Sequence, residues 1–120
     1  MRLVLLHALP FDERMWCAER DAIDGTVIAP RLYGLGDSVG AWAAAVLRRV
    51  GPEPFVVVGC SLGGACALEI ACAAPEQVAG IVLVGAKAGV RPDARLRDEA
   101  IQLLETRGTE AAWDRYWAPL

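Results

Sequence analysis

Histidine and lysine are almost missing from this chain: His7 and Lys87 are the single examples of each. With one histidine, and with Cys17, Cys60, Cys66 and Cys72 forming no CxxC pair, neither a zinc site nor a disulfide framework is offered. Reduced thiols in a cytoplasmic protein are the corresponding reading. Basic side chains are nearly all arginine, and the one basic pair, Arg48 and Arg49, suits the last turn of a helix better than a polyanion-binding patch. Twelve basic against fifteen acidic residues give a formal net charge of -3, which removes the usual electrostatic motive for binding nucleic acid or an acidic membrane. Long apolar runs are missing too, so no segment reaches membrane-spanning length. The start only imitates a signal peptide. Its Leu3 to Leu6 run is broken by His7 and Pro10, Asp12 and Glu13 follow at once, and no small-residue cleavage site is evident. What the chain does have is 120 residues, 55% of them hydrophobic and 22% charged. That is the size of one compact domain burying roughly two-thirds of its unfolded surface, and the apolar content excludes disorder.

Strand-like and helix-like stretches alternate. Arg2 to Leu6 reads as a buried strand entering the loop His7-Ala8-Leu9-Pro10, because proline cannot continue a central strand. Phe11 to Ile23 predicts a short helix, Asp24-Gly25 a turn, and Thr26 to Ala29 a second strand. Pro30 to Asp37 is a glycine-containing loop before a helix capped by Ser38 and stopped by Gly51 and Pro52. Phe55 to Val58, an aromatic followed by three β-branched residues, is too continuously apolar for a sheet with one wet face, and so predicts a central parallel strand. An Ala-rich helix to about Ala74 follows, then a strand Ile81 to Val84 and a loop Gly85 to Pro92. Ala94 to Thr106 predicts a charged amphipathic helix, and Thr109 to Trp117 gathers Trp113, Tyr116 and Trp117. The alternation implies an α/β fold: right-handed crossovers, a parallel sheet and helices on both faces.

The stretch that carries chemistry is Gly59-Cys60-Ser61-Leu62-Gly63, a G-x-S-x-G pattern seated between a buried strand and a helix. Turning from strand into helix at one residue forces that residue into strained backbone geometry, and side chains two positions either side would collide unless they were hydrogen. The turn lifts the Ser61 hydroxyl clear of the sheet at the carboxyl ends of the strands, where open α/β sheets place their sites. The N-terminus of the following helix supplies unpaired N–H groups, with that of Leu62 suited to a developing oxyanion.

On these residues the chain resembles the α/β-hydrolase family, in its lipase, esterase and proline-iminopeptidase branch. His7-Ala8-Leu9-Pro10 is similar to the family's His-Gly-x-Pro segment, and the resemblance implies that the Leu9 N–H is the second oxyanion donor. Arg31 to Ser38 resembles the family's D-x-x-G-x-G-x-S loop, and Gly59 to Val84 its elbow, helix and next strand. Ala8 departs from the usual glycine, and Arg31 with Leu32 from the usual acidic start. The resemblance implies an incomplete α/β-hydrolase core over residues 1–90 and the start of a helical cap over residues 91–120. It also implies a serine hydrolase of the carboxylesterase type, acting on an ester or related acyl bond of a small apolar substrate through an acyl-enzyme on Ser61. No metal, flavin or nucleotide is required. In this family the triad runs Ser, then Asp or Glu, then His along the chain, yet no histidine follows Ser61. The sequence reads as ending before the triad acid and base, with His7 supporting its loop.

Three other readings stand beside this one. The chain is a non-catalytic or pseudo-hydrolase module that binds a hydrophobic ligand or partner, or Gly34 to Gly40 forms a dinucleotide loop, or Cys60 replaces Ser61 as the nucleophile if the turn shifts by one residue. Hydrolase strand order would put the Val27, Leu5, Val57 and Leu83 strands side by side. The Ile81 to Val84 edge would then be free of charge and proline, a template for self-association.

Overall fold

The computed structural model describes residues 1–88 and 93–119. The chain divides into two compact units, Met1–Ala88 and Gly89–Leu120. The boundary expected between residues 90 and 91 lies outside the described residues, as does the end of the loop expected to run to Pro92.

The first unit is built on four strands, β1 (Arg2–Leu6), β2 (Thr26–Ile28), β3 (Phe55–Cys60) and β4 (Val78–Val84), all parallel in the order β2-β1-β3-β4. This is the order the hydrolase resemblance implies. Parallel neighbours require crossovers, and helices α1 (Cys17–Ala22), α2 (Val39–Val50) and α3 (Leu62–Ala73) supply them. The two faces of the sheet are covered unequally. Val4, Leu6, Phe55 and Val57 point at α2 and α3, where Ala43, Val46, Val50, Cys66, Ala67 and Ile70 close a fully buried core. Leu3 and Leu5 point the other way, to Trp16, with Val56, Val58 and Cys60 only half-buried beside them. Every residue of β3 from Phe55 to Val58 is apolar, because α2 and α3 cover one face and Met15 and Trp16 part of the other. Its alternation between buried and half-buried positions follows from the smaller cover on the Trp16 side.

Several boundaries differ from the sequence reading. The helix expected over Phe11 to Ile23 is a 3₁₀ turn (Glu13–Trp16) running into α1, because the Asp12 side chain accepts from the Arg14 N–H at 3.0 Å and starts the turn there. β2 stops at Ile28, one residue before the expected end, and β3 runs on to Cys60, at the edge of the serine turn. β4 begins at Val78 instead of Ile81, its register shifted against Phe55 and Val56 where small Ala79 and Gly80 enter the sheet. At α2 the expected caps hold: Ala41 N–H donates to Ser38 Oγ at 3.2 Å, and Gly51 takes a φ of 79°.

In the second unit α4 spans Ala94–Tyr116, opened by Asp93, whose Oδ1 accepts from the Leu96 N–H at 3.0 Å. The two segments expected from the sequence form one run broken at Gly108, where a φ of 79° marks a kink. Trp113 and Trp117 stack with ring centroids 6.2 Å apart, and Tyr116 meets Trp117 edge-on. Among the described residues no helix is long and apolar enough to cross a membrane.

Candidate active site

Ser61 sits where β3 turns into α3, with φ 51° and ψ -114°. Among the described residues it is the one non-glycine with positive φ, a region that costs an L-residue of order 1–3 kcal/mol and persists only where the surroundings enforce it. The enforcement is visible in the hydrogen bonds. Ser61 N–H donates to the Val84 carbonyl at 2.9 Å, which ties the turn to the end of β4, and Ser61 O accepts from Gly64 N–H at 2.9 Å and Ala65 N–H at 3.3 Å. The side chain is solvent-exposed, and Leu62, the first residue of α3, carries an N–H that no preceding helical turn can satisfy. Cys60 is the last residue of β3 and packs on the α1 side of the sheet, so the turn is centred on the serine.

The glycines answer to distances. A Cβ on Gly59 would strike the Gly63 carbonyl oxygen and come within 2.6 Å of Gly64 Cα. On Gly63 it would strike Leu6 O and lie 2.6 Å from His7 O. Strand and helix thus approach backbone to backbone, and the elbow lies directly on the end of β1. Gly64 is a third requirement that the sequence reading passed over: its Cβ would collide with Ala86 Cβ. The doubled Gly63-Gly64 was the available signal.

His7, at 1% exposure, lies in the loop after β1 with both ring nitrogens occupied by backbone. Leu32 N–H donates to Nε2 at 3.0 Å, so that nitrogen holds the lone pair and Nδ1 carries the proton, which goes to the Ala8 carbonyl at 3.0 Å. The ring therefore clamps the residue 7–10 loop to the residue 29–37 loop. Tyr33 adds to the clamp, its ring 5.1 Å from His7 and its hydroxyl donating to Phe11 O at 2.7 Å. The Gly34 to Gly40 stretch runs from this loop into α2: residues 29–38 separate β2 from α2, where a pyrophosphate loop needs a tight turn, and Gly36 O accepts from Trp42 Nε1 at 2.9 Å.

Ala8 and Leu9 share a trans peptide, since Leu9-Pro10 is the cis bond among the described residues, and in a trans peptide C=O and N–H point opposite ways. By holding Ala8 O, His7 sets the direction of the Leu9 N–H. Beyond that loop an open cleft of about 410 Å³ is lined by Pro10, Phe11, Asp12, Arg14 and Met15. Within it the Arg14 guanidinium and backbone N–H both bond to Asp12, holding its carboxyl down from the usual 3.8 to about 2. Cys66, below the elbow in α3, has its thiol pushed up to about 12 by burial, so it is a packing group and not a nucleophile.

The structure thus sets the Gly59–Gly63 turn, with Ser61 and the start of α3, against the Leu6 and His7 carbonyls at the carboxyl ends of β1 and β3. It gives Ser61 no histidine partner, because the single histidine is engaged on both nitrogens.

Lipase LipV of Mycobacterium tuberculosis is 36% identical over 94 residues, matching 69% of this chain and 36% of the lipase. A pimeloyl-[acyl-carrier protein] methyl ester esterase of Aromatoleum aromaticum is also 36% identical, over 91 residues, again 69% of this chain and 36% of the esterase. Among solved structures, a thermophilic esterase from Thermogutta terrifontis superposes with a TM-score of 0.79 at 26% identity, covering 97% of this chain and 48% of the esterase. The chain spans about a third of the length of the curated relatives it matches. The model of the alpha/beta hydrolase family matches residues 3–119, and the chain belongs to that family.

Proposed function

We propose that this chain carries the nucleophile and oxyanion part of a serine hydrolase of the carboxylesterase type, acting on an ester or related acyl bond of a small, largely apolar substrate. The observation that carries the reading is the strained, exposed Ser61 at the head of α3. The lipase and esterase relatives support it, each through what its own name says it hydrolyses.

In the proposed reaction Ser61 Oγ attacks the acyl carbon and its proton passes to a general base. The carbonyl oxygen becomes an oxyanion held by the Leu62 and Leu9 N–H groups, a contribution of about 3 to 4 kcal/mol per donor. Collapse breaks the bond to the leaving alcohol, which takes the proton from the base, and water then cleaves the acyl-enzyme in a second addition and collapse. His7 serves as a loop clamp: its Nε2 lone pair is spent on Leu32 N–H, so the base must be another residue. On this reading residues 91–120 are the start of a helical cap domain.

The engaged histidine also favours a second reading, a non-catalytic module of the same fold that binds a hydrophobic ligand or partner. A fluorophosphonate probe separates them. With a formed oxyanion site and no base, Ser61 is expected to label slowly and Ser61→Ala to abolish labelling; no labelling over hours supports the binding module. Labelling at the rate of a competent esterase overturns the claim that the base is missing.

A further inference from the structure

The loop that presents Leu9 is held at a second point, by sulfur. Ala8 lies two residues beyond the end of β1, so its N–H has no ladder partner, and at 5% exposure it has little access to water. Buried backbone N–H groups are paired almost without exception. Here the acceptor is Met15 Sδ, 3.3 Å away. The Met15 side chain packs against the Leu3, Leu5 and Trp16 cluster, and its backbone is held. Met15 belongs to the 3₁₀ turn, its own N–H donates to Asp12 O at 3.1 Å, and the neighbouring Arg14 N–H is capped by the Asp12 carboxylate.

The two polar atoms of Ala8 are therefore fixed from two directions: N–H by Met15, C=O by His7. With His7 alone, the Ala8–Leu9 peptide could still pivot about its held oxygen. The second anchor holds the preceding peptide plane, which is joined to this one through Ala8 Cα, and so restricts the φ and ψ rotations by which the Ala8–Leu9 plane could swing.

We propose that Met15 is a positioning residue of the oxyanion loop, its Sδ being the acceptor that fixes the Ala8 N–H and, through it, the direction of the Leu9 N–H. The part concerning Leu9 rests on the serine hydrolase reading above. The hydrogen bond to Ala8 does not.

The full 120-residue chain, isotope-labelled, tests both. Met15→Leu keeps the approximate volume and removes the acceptor, whereas Met15→Gln restores an acceptor, Oε1, at similar reach. In Met15→Leu the Ala8 amide should exchange about tenfold faster, the loss expected of one buried hydrogen bond. Fluorophosphonate labelling of Ser61 should slow in parallel, and Met15→Gln should recover both. An unchanged Ala8 exchange rate in Met15→Leu overturns the proposal, and so does equal slowing of labelling in the Leu and Gln variants, which would mean that packing alone matters. Selenomethionine at the two methionines leaves the side chains' shape intact and should move the Ala8 amide proton resonance; an unmoved resonance also counts against the bond. A wild-type chain that never labels sinks the Ser61 nucleophile instead. The Ala8 exchange rates then judge Met15 on their own.

Discussion

Gly63 has no space for a methyl group, and the obstruction is backbone: the carbonyl oxygens of Leu6 and His7. Neither can rotate aside as a side chain would, so Gly63→Ala must push α3 away from the end of β1. We expect a loss of about 2 to 3 kcal/mol, read from the urea midpoint, and a larger loss for Gly63→Val. An unchanged midpoint would mean that helix and strand do not meet there. Asp12 offers a different residue-scale test. Hydrogen bonds from Arg14 lower its folded pKa to about 2 from the usual 3.8. A depressed carboxyl pKa stabilises the fold fully above the unfolded value, and that contribution disappears as the pH falls through the folded one. Stability should therefore decline between about pH 4 and pH 2, and Asp12→Asn should flatten that part of the curve. Equal slopes in the two proteins would remove Asp12 from the acid response.

At the scale of elements, glycines that look alike in sequence behave oppositely. Gly40 lies in the first turn of α2 with nothing within 4 Å of a built Cβ, unlike Gly63. Gly40→Ala should raise stability by roughly 0.5 kcal/mol through the unfolded state, measured as a higher urea midpoint, and a lower midpoint would reveal a contact at that position. The strand order and the strand-turn-helix around Ser61 were legible because apolar continuity in Phe55 to Val58 and the spacing of Gly59 and Gly63 are local signals of buried structure. What escaped was set by partners distant in sequence. Gly64 is required by Ala86, β4 starts three residues early because Val78 pairs with Phe55, and His7 owes its tautomer to Leu32. Nothing near Met15 in the sequence announces that its sulfur serves Ala8.

For the molecule as a whole, the decisive feature is the last strand in the sheet order. β4 pairs with β3 on one side and ends the order β2-β1-β3-β4 on the other. Its residues Ile81, Val82, Leu83 and Val84 are 41%, 47%, 37% and 46% exposed, although all are apolar. Proteins blunt such strands with charge, proline or a cover, and Val78–Val84 contains neither charge nor proline. We expect the 120-residue chain on its own to self-associate through this strand, a second copy being the partner that matches an uncharged edge of identical sequence. Sedimentation at micromolar concentration should show a weight-average mass that rises with concentration, and a concentration-independent monomer would sink the idea. Val82 stands in register with half-buried Val58 but is itself nearly half exposed. A lysine there can therefore keep its charge in water while opposing a second copy. Val82→Lys should shift the chain toward monomer and leave the urea midpoint of the monomer nearly unchanged. Loss of folding in that variant would instead mean that Val82 is buried in solution, and the mass measured for the unsubstituted chain alone would then decide whether copies meet.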